Sequence, residues 1–272
     1  MLPGARSGDA NAVHQARVAT RRLREAMPLV EAGKPGRKIE RIARDLTGVL
    51  GTVRELDVAL LMLAELEGTD GVPAAAVTWL RRAVGDERRA LHKETAKRID
   101  QCDMDRLQRK ALRALEKNGE GRKHSVDRHE QVAAARRRAA RRAERLELAI
   151  EAAGAIYLPE RLHQVRIAVK KLRYALEIVR DLSGSRAEAR IRALKRSQDL
   201  LGRMHDLEVL IARTRGLQGV AVRDLKISSE LDQLVRRLET EARQLHGQYI
   251  TTRRLLLEIC NRVVSAGERK AA

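Results

Sequence analysis

The chain has 272 residues, 43% of them hydrophobic, enough to bury one large core or two smaller ones. Its net charge is +19, which points to a polyanion as partner: nucleic acid, an acidic membrane surface or a phosphate polymer. Phe is absent and aromatics are 1%, which speaks against a β-sandwich core, and two cysteines (Cys102 and Cys260) speak against a disulfide framework or a cysteine metal site.

Ala, Leu, Arg and Glu dominate and only five Pro occur, so the expected fold class is all-α. Residues 1–9 read as a disordered lead-in with no signal peptide. Asp9 or Asn11 is placed to cap a helix that runs to about Val30, with Pro28 ending or kinking it. Gly33 to Gly36 reads as a turn. A long helix follows from about Arg37 to Leu66; Gly48 and Gly51 inside it predict a kink or a close approach by another helix. Pro73 suits the start of the next helix, Ala74 to about Arg98. Asp103 is a cap for a short helix to Glu116, and Asn118–His124, rich in Gly and charge, reads as the linker between two halves, 1–118 and 119–272.

From Asp127 a helix runs to Ala153. Its Arg136, Arg137, Arg138, Arg141, Arg142 and Arg145 lie opposite a stripe of Ala135, Ala139, Ala143, Leu146 and Ile150, and so read as a solvated basic face. Pro159 introduces a helix to about Leu182, another spans about Ser185–Thr214, and the last covers Val222–Val264 with a break near Gly247. The longest apolar block, Val58–Ala64, is far too short to span a bilayer, and a reducing cytoplasmic setting is the expectation.

One stretch occurs twice. His14-Gln15-Ala16-Arg17-Val18-Ala19-Thr20-Arg21-Arg22-Leu23-Arg24 returns as His163-Gln164-Val165-Arg166-Ile167-Ala168-Val169-Lys170-Lys171-Leu172-Arg173. Wound at about 100° per residue, His163, Arg166, Lys170 and Arg173 fall in a sector of roughly 80°. Val165, Val169, Leu172 and Leu176 flank it on one side, and Ile167, Tyr174 and Ile178 on the other. His14, Arg17, Arg21 and Arg24 form the same sector in the first copy. Cations bracketed by apolar surface are aimed into a groove rather than at bulk water. Neither copy contains Asp or Glu, so the counter-charge must come from elsewhere in the fold or from a ligand.

A second block recurs in the same order. Leu50-Gly51-Thr52-Val53-Arg54-Glu55-Leu56-Asp57 matches Leu201-Gly202-Arg203-Met204-His205-Asp206-Leu207-Glu208, and its Gly follows the motif His by 37 residues in one half and 39 in the other. That order predicts an internal duplication giving two pseudo-symmetric antiparallel helical bundles. The first half has only about ten residues where the second has a long helix ahead of its motif, so one bundle is expected to lack a helix or to borrow one.

These motifs, together with Leu194-Lys195-Arg196-Ser197-Gln198-Asp199-Leu200-Leu201-Gly202, resemble the CHAD family, the histidine α-helical domain. The resemblance covers nearly the whole chain and implies two helical bundles that bind inorganic polyphosphate through a basic central surface, associated with polyphosphate granules in the cytoplasm. The helix expected before the first motif and any attached partner domain are the departures. By sector and by resemblance the binding residues are His14, Arg17, Arg21, Arg24, His163, Arg166, Lys170 and Arg173. Arg22 and Lys171 lie off the sector, and Arg41, Arg44, Arg54, Lys195 and His205 on the following helices form a second rank.

Polyphosphate has no bases to recognise, so it requires only an ordered track of cations: Arg as a fork, Lys as a point charge, and His as a further donor. Protonation of His14 and His163 predicts binding that strengthens below about pH 6.5. The alternative for these histidines is a buried ring satisfied by a carbonyl or a carboxylate such as Asp57 or Asp206. His92, His124, His129 and His246 do not recur and read as structural.

A nucleic-acid binder is the first rival, disfavoured by the shortage of aromatics for stacking and by the lack of a helix-turn-helix, zinc or RNA-sheet pattern. A metal-dependent phosphohydrolase is the second; neither copy offers a His-x-x-x-His or Glu-x-x-His ligand pair within its core motif, and no Gly-rich phosphate loop followed by Lys-Ser or Lys-Thr occurs. A helical scaffold for an acidic protein, using the Arg136–Arg145 face, is the third. The expectation is therefore a non-enzymatic binder of polyphosphate, with weaker non-specific affinity for other polyanions, no cofactor, no metal and no membrane contact.

Overall fold

A computed structural model describes residues 2–30, 34–101, 109, 112, 124–184, 187–221 and 224–268. The described residues are helical with short connections, as composition predicts. The helices are α1 (Leu2–Arg6), α2 (Ala10–Val30), α3 (Lys34–Leu66), α4 (Ala74–Gln101), α5 (His124–Ala153), α6 (Pro159–Ser183), α7 (Glu188–Ala221) and α8 (Leu225–Glu268). The expected short helix from Asp103, most of the 118–124 linker and Cys102 lie outside the described residues; Arg109 and Leu112 are helical. No helix among the described residues is long and apolar enough to cross a membrane.

Local signals set the helix starts. Of the two candidate caps, Asp9 caps α2: its Oδ1 accepts the amide of Ala12 at 2.5 Å. Pro159 is the first residue of α6, where its missing N–H costs nothing, and Gly184 ends that helix in the left-handed region (φ 62°) by donating its amide to the Arg180 carbonyl.

Three expectations are corrected. Residues 2–6 are helical rather than a disordered lead-in, because Ala5 is buried and Arg6 pairs with Asp100 of α4. Lys34 to Gly36 belong to the start of α3 rather than to a turn. The last helix runs unbroken through Gly247, since a single glycine costs about 1 kcal/mol and α8 buries apolar residues on both sides of it.

The described helices form two compact units. Unit 1 comprises residues 1–21, 42–103 and 206–244; unit 2 comprises 22–41, 104–205 and 245–272. Neither is one of the sequence halves 1–118 and 119–272. Unit 1, built around the half with no long helix ahead of its motif, includes residues 206–244 from the other half.

In unit 1, Leu46, Leu50, Leu56, Leu63, Leu80, Leu231 and Leu234 are almost wholly buried, each stabilising the fold by about 2 kcal/mol. Arg88 of α4 bridges Asp57 of α3 (Nε to Oδ1, 2.5 Å) and the carbonyl of Gly8 (2.8 Å). Gly8 has φ +86°, and a Cβ there would lie 2.7 Å from the His92 ring, so only glycine fits the turn before α2.

Unit 2 has a four-helix core. The α5 stripe of Ala135, Ala139, Ala143, Leu146 and Ile150 is buried as periodicity predicts. It packs with Val165, Val169 and Leu172 of α6, Leu194 and Leu201 of α7, and Tyr249, Leu256 and Cys260 of α8. Burial pushes the Cys260 thiol up to about 12, which leaves it inert.

Candidate functional site

In unit 2 the motif helix α6 buries Val165, Val169, Leu172, Leu176 and Tyr174 and leaves His163, Arg166, Lys170 and Arg173 at the margin of the core, each half-buried. This is the bracketed sector that the helical wheel predicts.

His163 meets His205 of α7, with 3.1 Å between the two Nδ1 atoms and 4.3 Å between ring centroids. A hydrogen bond between two Nδ1 atoms needs one ring to donate and the other to accept, so the contact requires at least one neutral ring. Two imidazolium rings would set N–H against N–H. Burial is the main force holding the His205 ring down to about 3, and the charges of Arg166, His163 and Lys170 add to it. His163 is lowered for the same reasons: burial first, then Arg166 and Lys170. The expected pH threshold for protonation therefore lies below 6.5 in the ligand-free protein. At Nδ1, His163 meets a second imidazole rather than a carboxylate. Its Nδ1 partner is His205, while the Asp57 carboxylate is bound to Arg88.

The glycine of the second motif block has a spatial meaning. A Cβ on Gly51 would lie 2.8 Å from Nη1 of Arg17, and a Cβ on Gly202 would lie 3.9 Å from Nε of Arg166. In both copies the motif arginine therefore runs over a glycine of the helix after its own, which is the close approach expected at Gly51. Gly48 has nothing within 4 Å of a Cβ position. In unit 1 Arg17 donates from Nη1 to the carbonyl of Thr47 at 2.8 Å, and Thr47 Oγ1 donates to Thr20 Oγ1 at 2.8 Å. One fork position of Arg17 is thus fixed by backbone. In unit 2 the Arg166 Nε is buried.

Arg173 is more structural than its place in the sector suggests. Its guanidinium pairs with Glu177 one turn on, donates from Nε to Gln198 Oε1 at 2.9 Å and stands 4.3 Å over the Tyr174 ring. Its counter-charge comes from just beyond the motif.

The remaining candidates distribute as follows. His14, Arg17, Arg21, Arg44 and Arg54 belong to unit 1, with His14 and Arg44 exposed and Arg21 and Arg54 half-buried. Arg22, Arg24, Arg41, Lys171 and Lys195 belong to unit 2, where Arg22, Arg41 and Lys195 are exposed and Arg24 and Lys171 half-buried. His205 moves from the second rank to direct contact with a motif residue.

Sequence reasoning missed Glu25. It is 8% exposed and lies against α5: Arg138 donates from Nε (3.2 Å) and Nη2 (2.9 Å) to its Oε2, and Arg142 Nη2 reaches both oxygens at 3.1 and 3.2 Å. Arg138 and Arg142, expected on a solvated face, have side chains only 17% and 14% exposed. The C-terminal turns of α2 cover that side of α5, which a wheel of α5 alone cannot reveal. The signal available was the spacing of Arg138 and Arg142 at i and i+4, which aims both at one point. Among the described residues no three His, Cys, Asp or Glu side chains are grouped as metal ligands.

Among curated proteins none matches this chain. Its fold is similar to a crystal structure of the CHAD domain from the plant Ricinus communis, with a TM-score of 0.54 and 23% identity over 96% of this chain and 82% of that one. Residues 2–215 match the family model of the CHAD domain, a span that contains both motif copies, both Leu-Gly blocks and the His163–His205 contact; the chain belongs to the CHAD family.

Proposed function

We propose that the chain binds inorganic polyphosphate through the basic faces of its two motif helices and acts as a binding protein rather than an enzyme. The observation that carries this reading is the gathering of positive groups around His205: its ring meets His163 at 3.1 Å between Nδ1 atoms, and Arg166 and Lys170 act on both rings. Burial first, and then these charges, hold the His205 ring down to about 3, and an approaching anion would offset the repulsion. A flexible polymer carrying roughly one charge per repeat suits such a site, because it can bend to follow a short row of half-buried cations where a stiff duplex cannot. Family membership supports the same ligand class. Association with cytoplasmic polyphosphate granules, and weaker contact with other polyanions, follow from that reading.

The test is competition at about 0.15 M salt, where surface charges are screened beyond about 8 Å. Labelled long-chain polyphosphate is challenged with duplex DNA, heparin and ATP, using wild type and Arg17→Ala/Arg166→Ala. Selective binding lost in the double variant supports the proposal. Equal competition by every polyanion, unchanged by the substitutions, would assign the binding to diffuse charge. Phosphate release with Mg²⁺ or Mn²⁺ would favour the hydrolase reading.

A further inference from the structure

The second half of α8 carries a charge where its packing calls for an apolar residue. His246, Tyr249, Arg253, Leu256 and Cys260 recur at alternating steps of three and four, which puts them on one stripe of the helix. Tyr249, Leu256 and Cys260 are fully buried in the core of unit 2. Arg253 stands between Tyr249 and Leu256 and is half-buried. Its Nε, the Tyr249 hydroxyl and the His246 Nε2 are all buried, and none has a hydrogen-bond partner among the described residues. The Tyr157 ring meets His246 edge-on, with 5.1 Å between centroids, and the Tyr249 ring lies 6.1 Å from His246. Burial pushes the Tyr249 hydroxyl up and the His246 ring down, which leaves both neutral near pH 7, while the Arg253 charge reaches that hydroxyl. An arginine stem can lie along a core with its head in water. That does not account for a buried Nε beside a fully buried tyrosine whose hydroxyl also lacks a partner.

We propose that His246, Tyr249 and Arg253 form a seat for a small monocarboxylate. It lies beyond residues 2–215, the span of the family match, and uses none of the motif residues. One carboxylate oxygen accepts from the Arg253 Nε and the other from the Tyr249 hydroxyl. The His246 Nε2 supplies a third donor, and the substituent lies against the Tyr157 ring. A single negative charge balances the single guanidinium, whereas a phosphate of higher charge would leave an excess beside buried apolar residues. Water matches the donors but leaves the guanidinium without a counter-charge.

The probe is acetate, with acetamide as its uncharged counterpart. The readout is NMR saturation transfer from the full chain to the probe's methyl protons, at neutral pH and fixed ionic strength. Acetate is expected to receive saturation in wild type and acetamide far less. Tyr249→Phe keeps the ring and removes the hydroxyl, and should weaken acetate about tenfold, the size of one lost hydrogen bond to a charged group. Arg253→Leu completes an apolar stripe, so it should stay folded in urea denaturation while losing the transfer. Arg254→Ala removes the neighbouring arginine, whose side chain is 91% exposed, and should leave the transfer unchanged. No transfer to acetate in wild type overturns the seat, as does equal transfer to acetate and acetamide. Acetate transfer that survives in folded Arg253→Leu, or that falls as much in Arg254→Ala, also overturns it, by assigning the anion to diffuse surface charge.

Discussion

The His163–His205 pair makes stability fall with acid, and one substitution removes the share that belongs to His205. In the unfolded chain each ring titrates near 6.5, whereas in the folded protein His205 is held near 3 and His163 is lowered. The folded state therefore binds fewer protons on these rings than the unfolded state. Their contribution is fully present above about pH 6.5 and is lost as the pH falls toward the folded values. Between pH 7 and pH 5, a sealed ring with the His205 shift would lose about 2 kcal/mol. His205 is only partly buried, and solvent screening reduces this to about 1 kcal/mol, or a fall of about 2 °C in Tm for a chain of this size. His205→Asn keeps a polar side chain opposite the His163 Nδ1 and cannot titrate. Thermal melts of wild type and variant at pH 7 and pH 5, in matched ionic strength, should show the variant losing about 2 °C less. Equal losses in the two proteins would refute the reasoning, because the shared carboxylates would then account for the whole acid effect.

Ligand binding should reverse that trend. Polyphosphate supplies the negative charge that both rings lack, so its affinity should rise as the pH drops from 7 to 5, with a shallower rise in His205→Asn; titrations at fixed salt measure this. The two motif glycines should respond differently to alanine. Gly202→Ala places its Cβ at an ordinary 3.9 Å from Arg166 and should stabilise the protein by about 0.5–1 kcal/mol through helix propensity, visible in urea denaturation. Gly51→Ala sets a Cβ 2.8 Å from Arg17 Nη1, displaces that guanidinium from the Thr47 carbonyl and should show no such gain. Arg88→Ala leaves the Asp57 carboxylate, 3% exposed, without its ion pair and should cost about 3–5 kcal/mol by the same measurement. Long-chain polyphosphate affinity should fall steeply and linearly on a log–log plot against salt, with a smaller slope for Arg17→Ala/Arg166→Ala.

The local features were legible in the residues themselves. The stripe from Ala135 to Ile150, the apolar flanks of the second motif, the Asp9 cap and the Pro159 start follow from helical periodicity and from backbone groups within one turn. Periodicity reports how a side chain is turned about its own helix axis, and that was enough to place His163, Arg166, Lys170 and Arg173 in one sector. It does not report what stands opposite. His205 comes to His163 from 42 residues away, and Glu25 meets Arg138 and Arg142 across 113 and 117 residues. Stripes of Ala, Leu and Val are nearly interchangeable as packing surfaces, so the sequence carries no local mark of which helix lies on which. For the same reason the compact units draw on both sequence halves. The charge excess that calls for a polyanion is written in the composition; which cations share a site, and which are spent on Glu25 or Asp57, was decided only when the helices packed.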